Sequence, residues 1–305
     1  MKTLLVGYKA GDIKAGSLEG DVTWHTLDIY HAHAVEKVHE GVKVVCQPHL
    51  PEGDWDLVRF RTGPALMSGE LALDLMQEIH RLPHGRFELD FIGRRERDRN
   101  DLLNKIKNDP KRVRSFRAQW PASVPGGNKL MFTSYPGCFC HRRLDEGGLA
   151  LAEVVSRDLR GGQSASPGIS LLDMGCGCGL VGFLVASVVP GVKLTMIDSH
   201  TRAVEAAREN ADAFGFDAEI ILSDDGLDSS PGRGPFDVFV GNPPYYSDYR
   251  IAEVFLETAK KNLKPGGVCY TVVKNADGLK SVQEKYFDSV EVIARRGYAV
   301  LKSHV

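Results

Sequence analysis

The chain has 305 residues, enough for roughly two domains. Its 38 Lys and Arg nearly balance 40 Asp and Glu, and 43% of its residues are hydrophobic. That composition excludes a disordered, collagen-like or disulfide-stapled chain. It also excludes a uniformly basic nucleic-acid coat, so any polyanion must be met by a local patch. Export and membrane readings fail as well. The apolar run Thr3 to Val6 is cut short by Gly7 and Lys9, so no signal-peptide core forms. The longest apolar stretch, Leu180 to Val189, is too short to span a bilayer and runs into Pro190-Gly191. Six cysteines do not make a secreted disulfide framework. These features predict a cytoplasmic protein with reduced thiols.

In chain order, the first predicted strand is Leu4 to Gly11, and further strands fall at Trp55–Phe60 and within Leu82–Ile92. From Arg94 to Arg117 ten Lys or Arg stand against four Asp or Glu. Two prolines and two glycines between Pro121 and Asn128 can continue neither a helix nor a central strand. This break predicts two domains, residues 1–125 and 126–305. The second alternates strands with helices: Ile169–Met174, Lys193–Asp198, Glu219–Ser223, Asp237–Gly241 and Cys269–Lys274, the pattern of a parallel sheet. The clearest helix is Thr201–Phe214. Its Val204, Ala207, Ala211 and Phe214 recur every three or four residues, and Gly215 is suited to a left-handed cap. A hairpin, Val290–Arg295 and Tyr298–Lys302, closes the chain.

The first domain reads as a worn copy of the second. Trp55–Phe60 aligns with Phe236–Gly241 at an offset of 181 (236 − 55), and Leu82–Ile92 aligns with Lys264–Lys274 at an offset of 182 (264 − 82). A register kept over about 35 residues predicts internal duplication.

Chemistry concentrates in the second copy. Asp173-Met-Gly175-Cys-Gly177-Cys-Gly179 follows a strand and opens an apolar helix. Glycines at that turn let a ligand lie on bare backbone beside the helix N-terminus. Gly177, Gly179 and Gly182 also satisfy the dinucleotide spacing G-x-G-x-x-G. The tighter triplet Gly175, Gly177, Gly179 with the preceding Asp173 fits S-adenosylmethionine better, the carboxylate meeting its ammonium. A ligand-free glycine turn is the competing reading. Asp198 ends the next strand, where a carboxylate accepts both ribose hydroxyls or simply stabilises a helix start. Asp224 and Asp225 follow the third strand, and either of them suits the adenine amino group.

Asn242-Pro243-Pro244-Tyr245 follows the fourth strand, at the carboxyl edge where such sheets bind ligands. The lone pair of an exocyclic or amide nitrogen is delocalised, which makes it a poor nucleophile. The Asn242 carboxamide oxygen and the Pro243 carbonyl can each accept one of its N–H groups, turning the lone pair toward a methyl donor. Pro243 and Pro244 stiffen the loop. Tyr245 offers a face on which a planar base stacks. A plain turn is the competing reading.

With these residues the chain resembles the small-domain methyltransferase family typified by ribosomal RNA guanine-N2 methyltransferases. The resemblance also covers Pro136–Gly147, Leu263–Gly267 and Gly297–Lys302. It implies an α/β protein with a Rossmann-like class I methyltransferase domain ending in an antiparallel hairpin, preceded by a degenerate α/β domain of similar fold. It implies S-adenosylmethionine as cofactor and guanine N2 of ribosomal RNA as target; the cysteine spacing adds the expectation of no metal. The family pattern departs here at Cys140 and Gly148, usually Ser and Ser or Thr. The pair Tyr245-Tyr246 replaces the Phe of guanine-specific members, and keeps adenine N6 and protein glutamine open as targets.

The first copy lacks the glycine triplet, and reads Arg61-Thr62-Gly63-Pro64 where the second has Asn242–Tyr245. It is expected to hold no cofactor. Its basic stretch, with Arg94, Arg95, Arg97, Arg99, Lys111, Arg112 and Arg114, is suited to RNA phosphates or to a solvated helix. Trp120 beside it is placed to stack on a base. Two other classes stay in play, an RNA-binding protein with a vestigial site and a nicotinamide oxidoreductase. The pairs Cys138/Cys140 and Cys176/Cys178 lack the usual C-x-x-C hook for zinc. His25, His31, His33 and His39 read as surface or core histidines.

Overall fold

The computed structural model describes residues 1–93, 96–107, 114–161, 168–228, 233–244 and 249–305. They form two units: Met1–Arg117 with Tyr135–Cys138 and His200–Arg202, and the remainder from Ala118. Among the described residues no helix is long and apolar enough to cross a membrane.

The first unit holds β1 (Lys2–Val6), β2 (Asp21–Thr26), α1 (Ile29–Val38), β3 (Lys43–Cys46), β4 (Trp55–Thr62), α2 (Gly69–Arg81), β5 (His84–Phe91) and α3 (Glu96–Lys107). Its sheet order is β3-β2-β1-β4-β5, and every pairing is parallel. Strand β1 ends at Val6, short of the expected Gly11, and a 3-10 turn, Ala10–Asp12, follows. Helix α2 is a regular amphipathic element: Ser68 caps it through Leu71 N–H, and Leu71, Leu75, Met76 and Ile79 face the core. Arg202 is 1% exposed in this unit. Its guanidinium donates to Asp74 Oδ2 at 2.6 Å, to Glu78 Oε1 at 3.1 Å and to the Pro48 carbonyl at 2.9 Å. His25 and His39, buried, bond to the Gln47 and Ala10 carbonyls, which makes them core histidines.

The second unit holds β6 (Ala118–Ala122), β7 (Leu130–Ser134), α4 (Glu146–Gly161), β8 (Ser170–Met174), α5 (Leu180–Ala186), β9 (Lys193–Asp198), α6 (Thr201–Phe214) and β10 (Ala218–Leu222). It continues with β11 (Phe236–Gly241), α7 (Arg250–Asn262), β12 (Leu263–Val273), α8 (Ala276–Gln283), β13 (Glu291–Arg295) and β14 (Tyr298–His304). The seven-stranded order is β10-β9-β8-β11-β12-β14-β13. Strands β8 to β12 run parallel, and β14 lies antiparallel between β12 and β13. Helix α6 has the predicted span, and Gly215 adopts φ +70° after it.

Two expectations need correction. The units part at Arg117/Ala118, eight residues before the predicted boundary at 125. The Pro-rich break is instead a β-hairpin: β6 carries Pro121 opposite Met131, and the rest of the break is its turn. Proline is tolerated because β6 pairs on one side only, so its missing N–H removes no ladder bond. The same hairpin withdraws Trp120 from solution. It is 8% exposed, stacks on Phe132 at 5.2 Å between ring centroids, and its indole N–H points to Ser134 Oγ.

The strand pairings reproduce the internal offset. Leu57 pairs with Arg86 in the first sheet, and the offsets carry that pair onto Val238 and Val268 (57 + 181, 86 + 182), which pair in the second. Thr3 pairs with Leu57 as Leu171 pairs with Val238, an offset of 168 (171 − 3) on the first strands. Val6 pairs with His25 as Met174 pairs with Ile197, an offset of 172 (197 − 25) on the second strands. The two units share one strand order.

Candidate active site

Strands β8 and β11 are neighbours with Met174 opposite Gly241. Their carboxyl ends therefore release two loops side by side: Gly175–Gly179 from β8, and Asn242–Pro244 from β11. This is the switch point of the sheet, where the chain turns outward to opposite sides.

Gly175, Gly177 and Gly179 adopt φ of +69°, +58° and +89°, a region that side-chain-bearing residues rarely enter. A Cβ on Gly175 would stand 2.8 Å from the Phe255 ring, and one on Gly179 would stand 2.2 Å from Phe183. At Gly177 nothing lies within 4 Å of the Cβ position, so the bare backbone there borders open space. Gly175 N–H and Cys176 N–H both donate to Ile197 O, and Gly177 N–H donates to Asp198 Oδ2 at 2.9 Å. Asp198 thus braces the glycine loop from the end of β9. Ser223 N–H in turn donates to the Asp198 carbonyl, and Asp225 Oδ1 accepts from Ser223 Oγ at 2.7 Å.

Asp173 is 2% exposed, and its Oδ2 accepts Gly182 N–H at 2.9 Å. Burial pushes its carboxyl from 3.8 up to about 7; the Gly182 bond opposes the rise and the nearby Asp198 carboxylate adds to it. A buried acid of this kind is stabilised by a cation. The two flanking thiols, Cys176 and Cys178, are buried small residues between the glycines, and burial holds Cys176 protonated. Among the described residues no group of three His, Cys, Asp or Glu is placed to hold a metal.

Asn242 projects from the end of β11, and its Nδ2 donates to Asp145 Oδ2 at 2.8 Å. Tyr245 lies outside the described residues, as do Arg94, Arg95, Lys111 and Arg112. Arg97 is 87% exposed on α3, and Arg99 is exposed as well. Arg114 N–H bonds to Gln77.

Two residues that hold the site escaped the sequence. Asn210 is fully buried on α6. Its Oδ1 accepts Thr133 N–H at 2.8 Å, and its Nδ2 donates to the Thr133 and Cys178 carbonyls at 3.0 and 2.9 Å, pinning the glycine loop. Its only signal is a polar residue on the apolar face of α6. Asp145 sat inside a recognised motif, but its partner is 97 positions away.

In the first unit the offsets put Leu5 at Asp173 (5 + 168), Thr26 at Asp198 (26 + 172) and Arg61 at Asn242 (61 + 181). Leu5 is fully buried, and Arg61 pairs with Asp12 and Asp90. None of the acids or amides of the second site recurs there.

Comparison with known proteins follows the same division. The methyltransferase small domain family matches residues 129–302. The ribosomal RNA small subunit methyltransferase C of Pseudomonas aeruginosa (strain UCBPP-PA14) is 38% identical over 143 residues, 46% of this chain and 40% of that protein. Its counterpart from Haemophilus influenzae (strain PittGG) is 28% identical over 172 residues, 55% of this chain and 49% of that protein. The chain thus matches about half or less of these curated relatives' length. A Thermus thermophilus 16S rRNA N2 G1207 methyltransferase, solved with AdoMet and guanosine, has the same fold with a TM-score of 0.80 at 18% identity; the superposition covers all of this chain and 88% of that one. Fold and site define a Rossmann-like methyltransferase domain. The chain belongs to the methyltransferase small domain family.

Proposed function

We propose that the protein transfers a methyl group from S-adenosylmethionine to an exocyclic amino group, guanine N2 of small-subunit ribosomal RNA, in the cytoplasm. The observation that carries this reading is the register of Met174 with Gly241, which sets Asn242 beside the glycine loop. When bound, adenosylmethionine supplies an electrophilic methyl on a sulfonium. Asp173 is the carboxylate for its ammonium, which offsets the cost of burying that acid. Asp198 takes the ribose hydroxyls while bracing Gly177. Asp224 or Asp225 accepts from the adenine amino group; Asp225 also accepts from Ser223 Oγ.

Asn242 Oδ1 and the Pro243 carbonyl accept the two N–H groups of the target amine. This holds the nitrogen nearer tetrahedral, with its lone pair aimed at the methyl carbon. Methyl transfer would leave the C–S bond pair on S-adenosylhomocysteine and make the nitrogen held by Asn242 and Pro243 positive and acidic. It loses a proton to water without a dedicated base. Tyr245 provides the stacking face for the base. The first unit, without a site of its own, holds RNA through the basic stretch around Arg97 and Arg99.

Ribosomal RNA is supported by the names of the relatives. Guanine N2 is supported by the substrate named for the Thermus protein. Nucleoside mapping of ribosomal RNA by mass spectrometry, with and without the protein, tests the target. One N2-methylguanosine should disappear from the small-subunit RNA when the protein is absent. Unchanged N2-methylguanosine with loss of N6-methyladenosine would move the target to adenine. Asn242→Ala should bind adenosylmethionine normally and turn over about 10²- to 10³-fold more slowly. Undiminished turnover would remove Asn242 from the mechanism.

A further inference from the structure

We infer that Asp145 is a positioning residue that determines which end of the Asn242 carboxamide meets the substrate. The inference rests on the reading of Asn242 as the acceptor for the target amine. A carboxamide has a donor end and an acceptor end of nearly equal size, and only the acceptor end is useful here. Turned the other way, its NH₂ would face the N–H groups of the substrate. An ionised carboxylate accepts hydrogen bonds and donates none. Asp145 Oδ2 at 2.8 Å therefore selects Nδ2 as its partner and leaves Oδ1 for the substrate.

Asp145 is itself held from several directions. It precedes α4 as its N-terminal cap: Oδ1 accepts Gly147 N–H at 3.0 Å, and its carbonyl accepts Leu149 N–H at 2.9 Å. Gly148 N–H also bonds to the carboxylate. The glycine at 148 has a steric reason. A Cβ there would stand 2.6 Å from Oδ2, the oxygen that receives Asn242, and 3.2 Å from Leu180.

The groups facing Asp145 are the Gly147 and Gly148 N–H donors, the Asn242 amide, the Arg143 guanidinium and the Cys140 thiol. The Tyr298 ring lies against Gly147. Burial raises the Asp145 carboxyl above the ordinary carboxylate range, against these donors and Arg143. Once protonated, Asp145 can donate its O–H to Asn242 Oδ1 and favour the unproductive orientation. Turnover should then show an acid limb that reports the raised Asp145 carboxyl.

The test uses the full chain, methyl-labelled adenosylmethionine and unmodified small-subunit ribosomal RNA. Asp145→Asn can present either end to Asn242, so the bias is lost. We expect kcat to fall about 10- to 100-fold, as for loss of a charge-assisted hydrogen bond. Adenosylmethionine Kd by calorimetry should stay within about twofold, and the acid limb of kcat should disappear. Gly148→Ala leaves the cap residue in place and crowds Oδ2 most closely, Leu180 less; it should lower kcat with unchanged cofactor Kd. That variant serves should Asp145→Asn fail to fold. Wild-type kcat and an unchanged acid limb in Asp145→Asn, or wild-type kcat in Gly148→Ala, overturn the inference. Loss of cofactor binding in step with kcat overturns it as well, since that is a structural effect. The underlying reading fails separately: full turnover in Asn242→Ala refutes it, whereas an inactive Asn242→Ala beside a fully active Asp145→Asn refutes only the role of Asp145.

Discussion

Replacing Asp173 with asparagine separates the cost of burying a carboxylate from the use made of it. The wild-type carboxyl titrates at about 7 in the folded protein, against 3.8 ordinarily. Each tenfold change in proton affinity is worth about 1.4 kcal/mol, so the full rise corresponds to about 4 kcal/mol. The folded state holds this proton more tightly than the unfolded chain. Its contribution to stability is therefore fully present below about pH 4 and is lost as pH rises through about 7. Asparagine has no such proton. Its oxygen can still accept Gly182 N–H, but its NH₂ adds a buried donor costing about 1–3 kcal/mol. Relative to wild type, the variant should therefore gain about 3 kcal/mol between pH 5 and pH 8. Urea unfolding of the cofactor-free protein at both pH values measures this difference, and groups common to both proteins cancel. A difference between variant and wild type that does not change with pH would refute the assignment of a raised, buried Asp173. If the carboxylate meets an ammonium, cofactor binding near pH 7 should release about half a proton from this carboxyl in wild type and none in the variant. Calorimetry in buffers of different ionisation heat reads that directly. Affinity in the variant should fall about 10- to 100-fold.

Two further outcomes follow from other parts of the chain. Arg202→Met leaves the partly buried carboxylates of Asp74 and Glu78 without their shared guanidinium, so stability should drop by about 3–5 kcal/mol in urea unfolding. A loss below about 1 kcal/mol would mark the triad as incidental. Changing Arg94, Arg95 and Arg97 to Glu should weaken RNA binding and lower the slope of log K against log salt by about one per lost phosphate contact. An unchanged slope would remove this stretch from the RNA-binding surface.

Much of the second unit is legible as pattern. Helix α6 announces itself through Val204, Ala207, Ala211 and Phe214, because a helix buries one stripe and the stripe repeats every three or four residues. The positive φ of Gly175, Gly177 and Gly179 is legible because few other residues tolerate it. The stretch at Pro121 reads as a break in sequence because proline and glycine mark any departure from regular ladders. They do not tell a linker from a two-stranded ribbon with free edges. Trp120 was misplaced for the same reason: its neighbour Phe132 lies across that ribbon.

Taken alone, the sequence made legible the alternation of strands and helices in the second unit and the motifs at the ends of β8 and β11, since these depend on local periodicity and on spacing along the chain. Tertiary structure decided which of those residues meet. Strand register placed Met174 opposite Gly241 and so set Asn242 beside the glycine loop. Folding also brought Asp145 to Asn242 across 97 positions, and Asn210 to Cys178 across 32. It likewise moved the Asp173 carboxyl to about 7, because its proton affinity depends on how much water packing removes from it. Partnership and desolvation are properties of distance in space, and no local pattern of residue types encodes them.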